Sequence, residues 1–306
     1  MRILVVGAGA VGGYFGGRLA QAGADVAFVV RPERQAQLER TGLRIVSPLG
    51  DTVVSPRLLS VSDKLPMADL VVLACKAHGL PAAANTAAGA IGPTSRVLPL
   101  LNGVDHLEEL TAQFGRERVL GGLAHIGATI GAEGEILHLN HLNVIRFGAQ
   151  DGAPDECCRA LEETFRNTVV DGVETTAIMP EMWDKFVFVS TLAGVTCLMR
   201  SSVGVVASLK GGAAFISAML DEAVSIAAAE GQAPSAEQLV SYRVQLLDPS
   251  SRSTASMLRD LQRGARTEAG HVLGSLVRRA ERHGLSVPAL STAWLHLQAY
   301  ETQRAG

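Results

Sequence analysis

The most constraining feature of the chain is a glycine-rich segment close to its first residue. Gly7-Ala8-Gly9-Ala10-Val11-Gly12 follows the short apolar run Arg2–Val6 and opens a stretch of helical character that reaches Ala22. In a strand–turn–helix unit the first glycine permits a tight turn, the second lets the backbone approach a pyrophosphate, and the third lets helix and strand pack closely. The pattern therefore predicts an α/β domain that binds a dinucleotide, with its phosphates at the helix N-terminus.

Strand and helix patterns divide the chain into two parts. Residues 24–30, 70–75 and 96–101 have the apolar, β-branched character of buried parallel strands, whereas the alternating, turn-punctuated stretch 121–147 predicts an antiparallel hairpin. Beyond about residue 176, helices are predicted at 179–199, 213–230, 235–247, 254–282 and 288–303. We therefore expect a dinucleotide-binding Rossmann domain over 1–175 and an all-α substrate and catalytic domain over 176–306.

Charge and composition exclude several classes of partner. The net charge of −3 over 306 residues leaves no basic face for a nucleic acid. No uninterrupted apolar run approaches the ~20 residues that span a bilayer, so no membrane partner is expected. Four cysteines, two of them adjacent, do not form a secreted disulfide framework. These features favour a cytoplasmic protein with a small-molecule substrate, and a homodimer through the helical domain is compatible with them.

The residue after the second predicted strand bears on the choice of cofactor. NAD-selective sites place an acid there to hold the ribose hydroxyls, whereas this chain has Arg31, followed by Arg34. A guanidinium can bind a 2′-phosphate through two hydrogen bonds, and a carboxylate would repel it. The alternative is a solvated arginine at a strand exit, and Glu33 lies close by. The pattern favours NADP(H).

Two polar residues follow the later strands of the first part, at the edge where open α/β sheets bind ligands. Lys76 ends the strand at 70–75, and Asn102 ends the strand at 96–101. We expect Lys76 and Asn102 to line one cleft together with the glycine loop, and to contact both substrate and cofactor there. His138 and His141 have no accompanying cysteine or carboxylate cluster, and on a strand they would face opposite sides. No metal site is therefore expected.

The chain resembles the ketopantoate reductase (2-dehydropantoate 2-reductase) family in ordered motifs from residue 3 to about 300. The most specific are the W-x-K element and the S-M-x-x-D element with its R-x-T-E continuation. The full set consists of the glycine loop with Arg31; Cys75-Lys76-Ala77; Leu101-Asn102-Gly103-Val104; Trp183-Asp184-Lys185; Ser256-Met257-Leu258-Arg259-Asp260 with Arg266-Thr267-Glu268; and His283-Gly284-Leu285-Ser286-Val287-Pro288.

The resemblance implies a fold and a set of roles. The fold would be an α/β N-terminal Rossmann domain plus an all-α C-terminal domain like that of 6-phosphogluconate dehydrogenase. Lys185 matches the general acid that protonates the keto oxygen as hydride arrives from NADPH, and Glu268 matches the residue that binds a substrate hydroxyl and supports this lysine. Ser256 and Asn102 match substrate-contacting positions, and Lys76 matches a lysine that lines the cleft.

The residues themselves are compatible with those roles but leave alternatives open. A partly desolvated lysine of lowered pKa can donate a proton to a forming alkoxide. Alone, Lys185 could be a solvated helix lysine, and Glu268 could pair with Arg266. If 254–282 were one straight helix, Ser256 and Glu268 would lie about 120° apart. Their convergence would then need a bend, and Gly264 is a candidate for it.

Three substitutions depart from the family pattern. The family carries asparagines four and eight residues after the catalytic lysine, where this chain has Val189 and Ala193, and a glutamine where this chain has Arg259. With Phe188 and Leu192, the helix face beside Lys185 becomes apolar. The resemblance still implies reductase chemistry, but these substitutions argue against ketopantoate as the substrate.

Three functions follow from these observations. The first is NADPH-dependent reduction of 2-dehydropantoate to pantoate, in pantothenate biosynthesis. The second keeps the fold and the chemistry but acts on a more apolar 2-keto acid, as a D-2-hydroxyacid dehydrogenase of the same family. The third is a non-catalytic dinucleotide-binding regulatory protein, which would have no need of an acid such as Lys185.

Overall fold

The computed structural model describes residues 1–305, which form two compact units. The first comprises Met1–Leu101 and His106–Ile178, and the second comprises Asn102–Asp105 and the chain from Met179 onward. The short segment Asn102–Asp105 thus belongs to the second unit although both of its neighbours in sequence belong to the first. The sequence did not predict this exchange.

The first unit contains ten strands and the helices between them. The strands are β1 (Arg2–Val6), β2 (Asp25–Val30), β3 (Leu43–Val46), β4 (Thr52–Val54), β5 (Arg57–Ser60), β6 (Ala68–Leu73), β7 (Ile91–Pro99), β8 (Leu120–Ile130), β9 (Ile136–Ala149) and β10 (Asp171–Glu174). The helices are α1 (Ala10–Gln21), α2 (Pro32–Thr41), α3 (Leu80–Ala87), α4 (Asp105–Phe114), whose first residue belongs to the second unit, and α5 (Glu156–Phe165).

The first sheet is parallel, with strand order β5-β2-β1-β6-β7. In chain order, β2 and β5 lie on one side of β1, and the later strands β6 and β7 lie on its other side. The direction in which strands are added therefore reverses between β1 and β6. This is the doubly wound arrangement, whose ligands bind beyond the carboxyl ends of the strands at the reversal. The predicted Rossmann fold is confirmed.

A second sheet, with order β10-β9-β3-β4, covers the other side of α1. The predicted hairpin is its main part, since β8 pairs antiparallel with β9 from Leu120↔Ala149 to Ile130↔Ile136. Glycines in α1 let the helix approach both sheets: a Cβ at Gly16 would lie 2.7 Å from the Phe28 ring, and one at Gly13 would lie 2.3 Å from Ile136. The helix that follows the glycine loop is therefore held tightly between two layers.

The second unit is helical. Its elements are α6 (Ile178–Met199), α7 (Val203–Ser208), α8 (Gly212–Ala229), α9 (Ala236–Leu247), α10 (Ser256–Gln262), α11 (Ala269–Arg282) and α12 (Pro288–Ala305). The predicted single helix over 254–282 is wrong, because the chain leaves the helical conformation after Gln262 and Gly264 adopts a φ of +68°. Helix α7 was not predicted.

Two helices of the second unit, α6 and α8, are long and apolar enough to cross a membrane by length and composition. The sequence led us to expect none, because no uninterrupted apolar run is that long. In α6, 61% of the apolar window is buried within the structure, and the helix also carries Asp184 and Lys185. Core helices of proteins without membrane spans meet the same criterion, and α6 has the burial of such a helix.

Candidate active site

Two glycines of the loop between β1 and α1 are required by close backbone approaches. Gly7 has a φ of +105°, and a Cβ there would lie 2.8 Å from the Ala74 carbonyl oxygen beyond β6. A Cβ at Gly12 would lie 2.3 Å from the Gly7 carbonyl oxygen and 2.6 Å from the Ala74 side chain. Any side chain at either position would push the loop away from β6, so the turn and the packing both depend on glycine.

Gly9 differs from these two, because space remains in front of it. A Cβ at Gly9 would meet only the Ala74 carbonyl oxygen, at 4.0 Å. Gly9 is the N-cap of α1, so the amides of Ala10 and Val11 begin the helix without partners inside it. Ala8 completes the loop. Open space before a helix N-terminus is the arrangement that accommodates a pyrophosphate, and the loop therefore fits the phosphates of a dinucleotide.

Arg31 lies beside this loop. The Gly7 amide donates to the Val29 carbonyl oxygen at 3.0 Å, which brings the end of β2 against the loop. Arg31 follows β2 directly as the N-cap of α2, and its side chain is exposed. The neighbouring Glu33 is exposed in the first turn of α2. Arg31 thus directly follows the second strand, as the sequence predicts, and its exposed side chain can reach a ligand at the loop.

Arg34 has a contact that the sequence did not reveal. Its Nε donates to the Ala8 carbonyl oxygen at 3.1 Å, and its Nη1 donates to the Gly134 carbonyl oxygen of the β8–β9 turn at 2.6 Å. Burial lowers the pKa of this guanidinium. Arg34 therefore supports the glycine loop from α2, whereas Arg31 faces solvent. The three-residue spacing of the two arginines is visible in the sequence, but the hydrogen bonds that hold Arg34 alone against the loop are not.

Lys76 lies beyond the end of its strand. The prediction that the strand ends at Lys76 is wrong, because β6 ends at Leu73 and the chain passes under the glycine loop at Ala74. Lys76 is exposed and precedes the short 3-10 turn Ala77–Gly79. It belongs to the first unit, together with the glycine loop and Arg31.

Lys185 and Glu268 interact electrostatically in the second unit. Lys185 is half-buried on α6, two residues after the buried Trp183. Burial lowers the pKa of its ammonium group to about 8, and the Glu268 carboxylate opposes this effect by favouring the charged form. Glu268 is the N-cap residue of α11. An ammonium whose pKa is near neutrality is a proton donor suited to a carbonyl oxygen.

Ser256 is the first residue of α10, on a different helix from Glu268. The break around Gly264 removes the difficulty that one straight helix would have posed. The Ala255 amide donates to the Thr196 hydroxyl of α6 at 3.3 Å, and this hydroxyl donates to the Leu192 carbonyl oxygen at 2.7 Å. Thr196 is not among the residues that the sequence predicts for the site. Its spacing of eleven residues from Lys185 nevertheless places both on one face of α6.

The two residues of α6 that stand in place of the family's asparagines differ in burial. Val189 is half-buried, and so are Phe188 and Leu192, whereas Ala193 is only 2% exposed. Of the two positions, only Val189 therefore keeps accessible surface. Arg259 is half-buried on α10, and its side chain makes no hydrogen bond or ion pair to any of residues 1–305.

Asn102 joins the second unit through its short segment. It is half-buried, and the next residue, Gly103, has a φ of +85°. A Cβ at Gly103 would lie 3.3 Å from the His271 ring of α11. The predicted residues thus fall into two groups: the glycine loop, Arg31 and Lys76 in the first unit, and Asn102, Lys185, Ser256 and Glu268 in the second.

Of the two histidines on β9, one is buried within hydrogen-bonding distance of its neighbours and the other is exposed. His138 is buried, and its two ring nitrogens lie 2.9 Å from the Ser47 hydroxyl and 2.8 Å from the Leu142 carbonyl oxygen. His141 is exposed. Within residues 1–305, no group of three or more His, Cys, Asp or Glu side chains could hold a metal ion.

Comparison with known proteins gives matches over nearly the whole chain. The model of ketopantoate reductase PanE/ApbA matches residues 3–152, and that of its C-terminal part matches residues 177–301. The chain is 36% identical over 305 residues to the uncharacterised oxidoreductase YkpB of Bacillus subtilis strain 168, covering 99% of this chain and 100% of that one.

Solved structures share both units. The PanE/ApbA family ketopantoate reductase from Ralstonia eutropha JMP134 has a TM-score of 0.90 at 25% identity and full coverage of both chains. A D-mandelate dehydrogenase with NADH and anilino(oxo)acetate has a TM-score of 0.88 at 19% identity, again with full coverage of both chains, and this likeness shows the fold alone. The chain belongs to the ketopantoate reductase PanE/ApbA family and is an oxidoreductase.

Proposed function

We propose that the protein reduces a 2-keto acid to a 2-hydroxy acid with NADPH, and that it prefers an apolar substrate side chain to that of ketopantoate. The observation that supports the reaction is the electrostatic interaction of Lys185, which lies on α6 beside the apolar Phe188, Val189 and Leu192, with Glu268 at the start of α11. Bound NADPH would supply the hydride that goes to the carbonyl carbon. The residues of this chain bind the substrate, orient it and supply the proton.

Lys185 supplies that proton from its Nζ to the keto oxygen, which would otherwise become an alkoxide. Its lowered pKa makes this transfer easier, while Glu268 keeps enough of the group charged at neutral pH. The ammonium also attracts the carboxylate of a keto acid. Ser256 is proposed to contact the substrate, and Asn102 and Lys76 to contact both substrate and cofactor.

The cofactor preference rests on Arg31. Its exposed guanidinium follows β2 beside the glycine loop, where an acid would select NAD. Charge-assisted hydrogen bonds to a 2′-phosphate would favour NADPH over NADH. The loop residues Gly7, Ala8, Gly9, Ala10, Val11 and Gly12 would hold the pyrophosphate in either cofactor.

The substrate preference rests on Val189. A side chain that cannot hydrogen-bond stands where the family has an asparagine, and it keeps accessible surface. A buried substrate hydroxyl left without a partner costs ~1–3 kcal/mol, whereas each buried CH₂ contributes ~0.8 kcal/mol. A hydrocarbon side chain is therefore favoured. The D-mandelate dehydrogenase of similar fold acts, by its name, on a 2-hydroxy acid with an aromatic side chain.

Ketopantoate remains the second candidate because Ser256 and Glu268 are retained. The family residue that Glu268 matches binds a substrate hydroxyl, and ketopantoate carries such a hydroxyl. This candidate would place the protein in pantothenate biosynthesis. Four free cysteines, two of them buried and two half-buried, agree with a cytoplasmic location for either candidate.

The test is a steady-state assay at saturating NADPH with ketopantoate and 2-ketoisovalerate. We expect kcat/KM to be higher for 2-ketoisovalerate. A value for ketopantoate tenfold or more above that for 2-ketoisovalerate would show that Ser256 and Glu268 suffice for its recognition. Absence of turnover with every keto acid, together with tight NADPH binding, would instead support the regulatory protein.

A further inference from the structure

The segment Asn102–Asp105 is attached to α11 by a carboxylate with three donors. The Ser275 hydroxyl and Arg279 Nη2 donate to Asp105 Oδ1 at 2.6 and 2.8 Å, and Arg278 Nη2 donates to Oδ2 at 3.0 Å. Burial would raise the pKa of Asp105, but the hydrogen bonds from Ser275 and Arg279 outweigh it, and the pKa is lowered. Asp105 therefore stays charged and firmly held.

Arg279 connects this carboxylate to two other helices. It is 5% exposed, and its Nη1 donates to Glu230 Oε2, at the end of α8, at 2.7 Å. Its guanidinium lies 5.3 Å from the centre of the Trp183 ring. Trp183 precedes Lys185 by two residues on α6. A planar guanidinium held by two carboxylates against an aromatic ring has little freedom to reorient, so Arg279 links the segment to α6 as well as to α8.

The attachment places Asn102 along the start of α11. Gly103 lies against the His271 ring, one turn after Glu268 and one turn before Ser275. Asp105 is then bound at the level of Ser275. The segment thus runs beside the first two turns of the helix whose N-cap residue is Glu268, and Glu268 is the residue that acts on Lys185.

We propose that Asp105 and Arg279 are positioning residues for the substrate site. By holding the segment on α11, they make Asn102 part of the same unit as Lys185, Glu268 and Ser256, although it directly follows a strand of the first unit. This inference rests on the proposed function, since it assigns Asn102 to substrate binding. It predicts that loss of the attachment weakens keto-acid binding far more than cofactor binding, because the glycine loop and Arg31, which would hold most of the cofactor, are unchanged.

The main variant is Asp105→Asn, which keeps the shape of the side chain and removes its charge. We expect the KM for 2-ketoisovalerate to rise tenfold or more, the Kd for NADPH to change less than twofold, and amide hydrogen exchange of residues 102–105 to accelerate at least tenfold. Ser275→Ala removes one of the three donors to Asp105. It should raise the KM and accelerate the exchange of residues 102–105 by smaller factors, again without changing the Kd for NADPH. It serves as the test if Asp105→Asn does not fold.

The matched control is Asp221→Asn, which breaks the exposed 2.6 Å ion pair with Arg243 in the same unit. It should leave both KM and the exchange of residues 102–105 unchanged. A merely structural ion pair at Asp105 would lower the Tm without moving the KM, and that result would overturn the proposal. Unchanged exchange at residues 102–105 in Asp105→Asn would overturn it as well.

Failure of the proposed function would look different. A wild-type protein that reduces no keto acid would refute the reductase, whatever the variants do. The hydrogen exchange of residues 102–105 would then still decide whether Asp105 holds the segment, because that measurement needs no substrate. Accelerated exchange with an unchanged KM in an active enzyme would show that the attachment does not serve the substrate site.

Discussion

The glycine loop and helix α6 follow the family pattern to different extents. In the loop, Gly7 and Gly12 are each required by a backbone contact, so any side chain there would move the loop away from β6. On α6, Lys185 is retained while the position one turn later has changed to Val189. A site for a fixed cofactor is constrained by the protein backbone itself, whereas a site for a variable substrate is constrained by side chains. The comparison agrees with the proposal that the protein keeps the family's redox chemistry and differs in substrate recognition.

The largest test of this comparison is Lys185→Ala. If α6 keeps the family's chemistry, removing the proton donor should lower kcat about 10²–10⁴-fold. The Kd for NADPH, measured by fluorescence titration, should stay within twofold, because the loop is unchanged. Lys210→Ala, at an exposed lysine of the same unit, is the control and should remain fully active. Retention of most of the activity in Lys185→Ala would mean that α6 does not supply the acid.

A second test addresses the first unit. Arg31→Asp replaces a donor to the 2′-phosphate with a group that repels it, and a charge-assisted hydrogen bond is worth ~1.5–3 kcal/mol. NADPH binding should weaken about tenfold to a hundredfold while NADH binding changes little. Arg40→Asp, on the last turn of α2, makes the same charge change at an exposed site as a control. Equal affinity of the unmodified protein for NADPH and NADH would refute the role of Arg31.

A third test restores one family residue to α6. Val189→Asn should raise kcat/KM for ketopantoate about threefold to tenfold, because one hydrogen bond contributes ~0.5–1.5 kcal/mol. The same change should lower kcat/KM for 2-ketoisovalerate. Val205→Asn, at an exposed valine of α7, should affect neither substrate. If ketopantoate gained nothing, the apolar face of α6 would not be what sets the preference.

The smallest expected effect concerns pH. Lys185 must be charged to donate, so kcat should fall as the pH rises through about 8. Glu268 favours the charged form, and Glu268→Gln should move this fall to lower pH by about one unit. At pH 7 that shift would reduce the protonated fraction about twofold. Glu237→Gln on α9 is the control, and an unshifted profile in Glu268→Gln would exclude electrostatic support of Lys185.

Local patterns predicted the parts of the fold that depend on neighbours in sequence. Strand β1 was predicted with its observed bounds, and the β8–β9 hairpin was predicted from alternation and turn residues. The short strands β3, β4 and β10 have three or four residues each, which is too few to show a period. Helices α10 and α11 were merged because both are helical in composition, and only Gly264 marked the turn.

The sequence indicates the parts of the candidate site that lie in motifs, but not the contacts that join residues far apart in the chain. Lys185 and Glu268 follow from motifs, and the structure brings them into electrostatic interaction. The attachment of Asp105 to Ser275 joins residues 170 positions apart, and no local pattern reports it. Ala193 was grouped with Val189 by helical spacing, but its burial depends on what packs against α6.

The left-handed turn at Gly264 affects how the helical unit can vary between relatives. In one continuous helix, inserting a residue between Ser256 and Glu268 would rotate one about 100° relative to the other. Here the exposed turn at 262–266 separates two independently packed helices, and a Cβ at Gly264 would meet no atom within 4 Å. Length changes can therefore be absorbed in the turn. The position of Ser256 in the proposed substrate site can therefore change without altering the geometry of Lys185 and Glu268.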